Sequence, residues 1–239
     1  MSKPSKQVHS SDQSTAIAVL GGTFDPIHYG HLRLANYLAD KLKLKQVKLM
    51  PGYQPVHRGS PQASSEQRLA MLELAIDELP ELIIDTREIH RKGPSYTIIS
   101  LKELRAELGE ETPIYFILGE DAFCQFDTWH QWQSILDYAH LLIAVRPTAE
   151  EKHNHGKHSH GKHSHGKYNS ALTSLLENAT YHGEGYPVSA SGTIVMIDNP
   201  MLDISSSDIR IQISEHKNIT DLVPANVSQY IEQHKLYCS

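Results

Sequence analysis

The sequence predicts an α/β protein built on a single doubly wound parallel sheet with helices on both faces. Three observations predict it. Short apolar, β-branched runs end at glycine or proline, as strands buried on both faces do. Helix-period stretches alternate with these runs, the pattern of βαβ units, whose ligands sit beyond the C-terminal ends of the strands. The length, 239 residues, suits one such domain.

The elements follow in order. Residues 16–20 (AIAVL) read as a buried strand stopped by Gly21-Gly22. Leu32, Leu34, Ala35, Leu38, Ala39 and Leu42 then recur at helical spacing. Residues 47–50 form a second strand, ended by Pro51-Gly52, and 65–79 a helix with Leu69, Leu72, Ala75, Ile76 and Leu79 on one face. A short strand at 82–85, a helix at 97–108 closed by Gly109, and a strand at 114–118 before Gly119 come next. Residues 128–136 are predicted to be a helix carrying Trp129 and Trp132, followed by the strand 140–145 and a stop at Arg146-Pro147. The last strand is expected at 193–197, and helices at 207–213 and 225–234 close the chain. Chemistry is therefore expected just after Leu20, Met50, Leu118, Val145 and Ile197.

Composition locates what does not belong to that core. Apolar residues are 39% of the chain, below the roughly 45–50% of globular proteins. Two stretches account for the shortfall. Residues 1–15 read as a disordered polar tail, and 149–167 (AEEKHNHGKHSHGKHSHGK) as a flexible His-rich insert. About 205 residues remain, roughly 44% apolar and near the globular norm. The two stretches carry six Lys against three acids, so the remainder holds −9 where the whole chain holds −6. An acidic domain argues against a broad nucleic-acid surface but leaves room for a local basic site for a small phosphate. Two cysteines, Cys124 and Cys238, are too few for a disulfide framework. No apolar run approaches the ~20 residues of a membrane helix, and the N-terminus lacks a secretory apolar region. A soluble cytosolic protein is expected, without a nucleic-acid or membrane partner.

Two segments carry candidate chemistry. After the first strand the chain reads GGTFDPIHYGHL, residues 21–32, which matches neither the dinucleotide fingerprint nor the Walker loop. A Walker-like string at 156–162 is followed by His163 rather than Ser or Thr and has no strand before it. Gly21 and Gly22 allow backbone to approach a ligand. His28 and His31 lie three apart at a helix start, on one face of its first turn, where free N–H groups and imidazoles suit a phosphate. Simple helix capping is the bland alternative, and a zinc site would need a further ligand. The second segment is Ile204-Ser205-Ser206-Ser207-Asp208-Ile209-Arg210. Its serines are good N-caps, and Arg210, one turn in, adds a guanidinium to a second polyanion cradle.

GGTFDPIHYGHL with a distal ISSSDIR resembles the nucleotidyltransferase superfamily marked by HxGH and ISSTxIR, and within it the bacterial nicotinate-nucleotide adenylyltransferases. The likeness continues through Pro51-Gly-Tyr-Gln-Pro55-Val-His57-Arg58, Arg68-Leu-Ala-Met71-Leu-Glu73-Leu-Ala75, Gly93-Pro-Ser95-Tyr96-Thr97, Ile117-Leu-Gly119-Glu-Asp121, Thr128-Trp129 and Arg146-Pro147. It spans about 16–146 and 193–237. It implies a Rossmann-like nucleotidyltransferase domain over 16–239, interrupted by the His-rich insert. The family joins ATP and nicotinate mononucleotide with Mg²⁺, giving deamido-NAD and pyrophosphate by direct attack of the mononucleotide phosphate on the α-phosphate. The resemblance assigns His28, His31 and Arg210 to catalysis, and Gly21, Gly22, Thr23, Phe24, Gly30, Ile204, Ser206 and Ser207 to ATP. Arg58, Thr97, Gly119, Asp121, Trp129, His130 and Arg146 would receive nicotinate mononucleotide, with Trp129 stacking on the ring. No fixed protein ligand for a metal is implied. Departures from the family pattern fall at Gly52, Tyr53, Val56 and His130. A protonated His130 would favour the acid over the amide, in line with a preference for nicotinate over nicotinamide.

Blander expectations stand beside these. Trp129 and Trp132 could be core residues, Tyr96 is read as packing, and Glu103, Arg105, Glu107, Glu110 and Glu111 as a solvated face. Cys124 is read as an inert buried thiol and Cys238 as a frayed terminal one. Six of the 16 histidines (His153, His155, His158, His160, His163 and His165) lie in the insert. They are either a slipped repeat tolerated in a surface loop or a weak site for Ni²⁺, Zn²⁺ or Cu²⁺. The competing functions are thus a sibling adenylyltransferase using nicotinamide mononucleotide or phosphopantetheine, and a metal-buffering protein on an enzyme scaffold.

Overall fold

The computed structural model describes residues 16–55, 59–145, 167–198 and 204–238. Its strands are β1 (Ile17–Gly22), β2 (Val47–Pro51), β3 (Gln54–Pro55), β4 (Leu82–Ile84), β5 (Pro94–Ser95), β6 (Ile114–Gly119), β7 (His140–Val145) and β8 (Ile194–Asp198). Its helices are α1 (Tyr29–Leu42), α2 (Ser65–Ile76), α3 (Arg87–Arg91), α4 (Thr97–Leu108), α5 (Glu120–Phe123), α6 (Ser170–Ala179), α7 (Ser206–Ser214) and α8 (Ala225–Gln233). Six strands form one sheet in the order β4-β2-β1-β6-β7-β8, and every pairing in it is parallel. The chain winds outward from β1 in one direction, then returns to wind the other way from β6. Strand order therefore reverses between β1 and β6, and a crevice opens at their C-terminal ends. This is the Rossmann-like, doubly wound sheet expected. β3 and β5 pair by themselves, beside that crevice's Gly52-Tyr53 rim.

Side-chain alternation divides the core between the two faces. Ala18 and Leu20 of β1 join buried residues of α1, α2, α7 and α8, such as Leu38, Leu72, Ile209 and Val227. Val19 between them points the other way, into a cluster with Ile98, Leu101 and Leu104 of α4 and Leu172 of α6. Each such leucine or isoleucine, fully buried, contributes about 1.5–3 kcal/mol. Local chemistry fixes the helix ends. Ser64 and Gln67 form a reciprocal capping box at α2, which satisfies two otherwise orphaned N–H groups. The chain leaves α4 at Gly109, φ 83°, a conformation that glycine adopts freely.

Three sequence expectations are corrected. Residues 128–136 are not an α-helix: two 3₁₀ segments, Phe126–Thr128 and Trp132–Asp137, flank an extended Trp129 and a left-handed Gln131. Both indoles gather on Phe126, with centroids at 5.3 and 6.0 Å. That clustering suits the tighter turn, in which residues three apart eclipse. Arg105 is not part of a solvated face. It is 4% exposed, and its guanidinium donates to the carbonyls of Gly109, Thr112, Tyr138 and Ala190 at 2.6–2.9 Å. Cys124 is half-buried rather than buried, though burial does push its thiol pKa up. Among the described residues no helix is long and apolar enough to cross a membrane. The expected tail at 1–15 lies outside the described residues, as does the insert apart from Lys167.

Candidate active site

The loop from β1 to α1 is built by close approaches. A Cβ on Gly21 would sit 2.9 Å from the Phe116 ring, and one on Gly22 would sit 2.9 Å from the Phe24 ring. Phe24 is buried at a positive φ of 50°, and its edge meets the His31 ring at 5.0 Å. His28 occupies the N-cap of α1 in an extended conformation without a side-chain cap bond, so capping does not explain it. The His28 and His31 rings stack instead, with centroids 3.7 Å apart. Gly30 makes this possible: a Cβ there would stand 2.9 Å from His28 Nδ1 and 3.6 Å from the Ile204 carbonyl. The glycine of HxGH thus brings the first motif against the start of the second.

The second motif is joined to the first by hydrogen bonds. Ser205 is the residue that caps α7, its Oγ accepting from Asp208 N at 3.1 Å. Ser206 Oγ donates to the Pro26 carbonyl at 3.0 Å. Arg210 Nη1 donates to the Asp25 carbonyl at 2.6 Å, and its Nη2 to Ser207 Oγ at 3.1 Å. His28, His31, Ser206, Ser207 and Arg210 therefore converge, and Arg210 both bears charge and holds the loop.

Asp25, Arg68 and Tyr237 of this cluster have no role in the sequence reading. Asp25 is 4% exposed, and its carboxylate accepts from Gln62 N, Ala63 N and Tyr237 Oη at 2.9, 3.1 and 2.8 Å. Arg68 is 1% exposed and donates to the carbonyls of Thr23 at 2.7 Å and Tyr53 at 3.3 Å. Burial lowers the Arg68 pKa, while Asp25 and Tyr237 work against that shift. An arginine and an aspartate within helix- and loop-like stretches give only one signal: charges at positions the apolar pattern would bury.

Five of the expected mononucleotide residues, Thr97, Gly119, Asp121, Trp129 and His130, belong to the half of the chain around β6 and α4. Gly119 ends β6 in register with Ala144 of β7, and Asp121 follows in α5. Trp129 is half-buried with its edge toward Phe116 at 6.3 Å, so one phenylalanine ring lies against both Gly21 and Trp129. His130 packs on Tyr96 at 4.5 Å, which places it at the N-terminus of α4 beside Thr97. No side chain caps that terminus. Glu120 locks this corner: it accepts from Tyr168 Oη and Lys167 Nζ, each at 2.6 Å. Burial, then Glu120, push the Tyr168 pKa up, keeping the phenol a donor. Arg58, Arg146 and the six histidines of the insert lie outside the described residues.

Known proteins share this plan. Residues 19–212 match the family model "Cytidylyltransferase-like". A protein of Serratia proteamaculans named "Probable nicotinate-nucleotide adenylyltransferase" is 39% identical over 96% of this chain and 98% of its own length. One of the same name from Cellvibrio japonicus is 42% identical over 92% and 98%. The fold also matches the nicotinic acid mononucleotide adenylyltransferase of Plasmodium falciparum, solved in complex with NaAD. That match has TM-score 0.65 and 19% identity, covering 93% of this chain and 97% of that one. With the family model matching residues 19–212 and relatives matching 92–96% of its length, the chain belongs to the cytidylyltransferase-like family, in its nicotinate-nucleotide adenylyltransferase branch.

Proposed function

We propose that this protein transfers the adenylyl group of ATP to nicotinate mononucleotide, forming deamido-NAD and releasing pyrophosphate in NAD biosynthesis. The observation that carries this reading is the convergence of the stacked His28–His31 pair with Ser206, Ser207 and Arg210 at the switch point of the sheet. The relatives' names point to the same reaction.

The mononucleotide phosphate is its own nucleophile. With a second pKa of about 6 it is largely dianionic at neutral pH, so no general base is needed. Its oxygen attacks the α-phosphorus in line, the bond to the bridging β-phosphate oxygen breaks, and pyrophosphate leaves with that electron pair. Catalysis is then positioning and charge stabilisation. His28 and His31 hold the ATP phosphates and the charge that builds in the transition state. Ser206, Ser207 and Arg210 hold the departing pyrophosphate, with Gly21, Gly22, Thr23, Phe24, Gly30 and Ile204 shaping the floor. Trp129 stacks on the pyridine ring while Thr97 and His130 meet the carboxylate, and Gly119 and Asp121 line the bound nucleotide.

Mg²⁺ enters as the complex of ATP, where it neutralises phosphate charge. Among the described residues there is no group of three or more His, Cys, Asp or Glu that could hold a metal. The loop carboxylate, Asp25, is already committed to three donors.

The test offers ATP-Mg²⁺ with nicotinate mononucleotide, nicotinamide mononucleotide or phosphopantetheine and follows pyrophosphate. Preference for the nicotinate compound is expected; equal or better use of either alternative would overturn the assignment.

A further inference from the structure

We propose that Tyr237, two residues from the end of the chain, is a positioning residue of the adenylyl-transfer site, acting through Asp25 on the loop that carries His28 and His31. The proposal rests on the function proposed above. After α8 the chain turns through two left-handed residues, Lys235 at φ 51° and Tyr237 at φ 63°, a region that non-glycine residues seldom adopt. Leu236 is anchored between them by its N–H on the Ile231 carbonyl at 3.0 Å and is 9% exposed. This double bend turns the Tyr237 ring inward, leaving it 6% exposed. Its hydroxyl donates to Asp25 Oδ1 at 2.8 Å. Burial first, then the Asp25 carboxylate, push the Tyr237 pKa far up, so the phenol stays a donor across the working pH range.

The contact matters because of what else Asp25 holds. Gln62 N and Ala63 N occupy the remaining faces of the carboxylate, and Arg210 Nη1 lies 3.9 Å from Oδ2 while bonded to the Asp25 carbonyl. If the hydroxyl is removed, Oδ1 keeps Ala63 N alone and the carboxylate is free to swing toward Arg210. Arg210 is then drawn from the Asp25 carbonyl and Ser207, which disturbs both phosphate ends at once. Neither substrate touches Tyr237 in this scheme, and the groups its loss displaces meet phosphate charge that builds in the transition state. The defect therefore falls on turnover and not on the binding of nicotinate mononucleotide.

Tyr237→Phe keeps the ring and deletes only the hydroxyl. With ATP-Mg²⁺ and nicotinate mononucleotide, kcat is expected to fall about tenfold, as for a sub-ångström displacement of catalytic groups. The KM for nicotinate mononucleotide should stay within about twofold. Hydrogen exchange should rise in peptides covering 22–31 and stay unchanged in 225–233. Asp25→Asn should lower kcat in the same way, and adding Tyr237→Phe to it should cost little more, because the two act as one unit. A Phe variant with wild-type kcat and unchanged loop exchange overturns the proposal. So does one that cannot be obtained folded, since a positioning hydroxyl is dispensable for folding. If the wild-type protein itself releases no pyrophosphate from this substrate pair, the proposed function fails instead, and loop exchange still decides the role of Tyr237.

Discussion

Replacing Arg68 by methionine tests whether the catalytic loop is held by buried donors. Arg68 is 1% exposed and meets the Thr23 carbonyl at 2.7 Å and the Tyr53 carbonyl at 3.3 Å. Methionine fills much of the space but donates nothing, so both carbonyls lose a charged donor. A buried acceptor left unpaired costs about 1–3 kcal/mol. The Thr23 bond, short and well formed, belongs near the middle of that range and the Tyr53 bond at its lower end. Against this stands the relief of a guanidinium whose burial lowers its pKa, a desolvation cost that methionine does not carry. The net loss is about 2–3 kcal/mol, which for a domain of this size moves the melting midpoint by roughly 4–12 °C. Thr23 adjoins Phe24, whose ring meets His31, so kcat should also fall, by roughly 10- to 100-fold. Urea unfolding gives the stability change at constant m, and pyrophosphate release gives the rate. A stability loss below about 1 kcal/mol together with unchanged kcat would refute the reasoning.

Further outcomes follow from other parts of the molecule. His31→Ala should lower turnover by at least about 100-fold, as for a major transition-state donor, with thermal melting close to wild type; near-normal turnover would remove His31 from catalysis. His140 is fully buried, with Nδ1 on Thr193 Oγ1 and Nε2 on the Ser189 carbonyl, each at 2.7 Å. Burial depresses its pKa below 6.5, helped by Arg105 and opposed by the Ser189 carbonyl. Its folded pKa being the lower one, its contribution is complete above pH 6.5 and is lost as pH falls toward the folded value. The wild-type stability should therefore slope downward on that acid side, and the slope should shrink in His140→Gln; identical pH profiles would contradict this. Exchanging the six insert histidines for serine should leave transfer with Mg²⁺ unchanged in an assay free of transition metals, and loss of activity would tie the insert to the reaction.

Most of the sheet was legible because its strands are buried on both faces and read as unbroken apolar runs. The strand at 140–145 and the helix at 97–108 were found to the residue. What escaped was stabilised by tertiary contacts rather than by pattern. α6 begins at a good cap, Asn169 on Leu172 N, and places Leu172 and Leu176 at helical spacing, but its serines, threonine and asparagine weaken propensity. α3 is one turn, polar except for Ile89, held because Arg87 is gripped by Asp85 at 2.8 Å and by Glu107 at 3.0 Å. The Trp129 segment misled because aromatic residues three apart fit an α-helix and a 3₁₀ turn equally well. In the site, the histidines, serines and Arg210 were visible as motif letters. Asp25, Arg68 and Tyr237 were not assigned roles, because a residue that acts by satisfying another segment's backbone has no local signature.

That blind spot has a physical origin in the loop itself. Residues 23–27 belong to no helix or strand of the sheet, so their buried carbonyls need partners from elsewhere. Thr23 takes Arg68 of α2, Asp25 takes Arg210 of α7, and Pro26 takes Ser206 of α7. These partners lie 45, 185 and 180 residues away along the chain. The carboxylate of Asp25 adds a partner 212 residues away, in the C-terminal turn. The loop therefore reaches its working shape only when both halves of the doubly wound sheet and the last turn of the chain are in place. A short HxGH segment could bind phosphate weakly at any helix start. Holding two imidazoles stacked at 3.7 Å beside a guanidinium requires donors from α2, α7 and the C-terminus together, which is why the second motif stands so far along the sequence from the first.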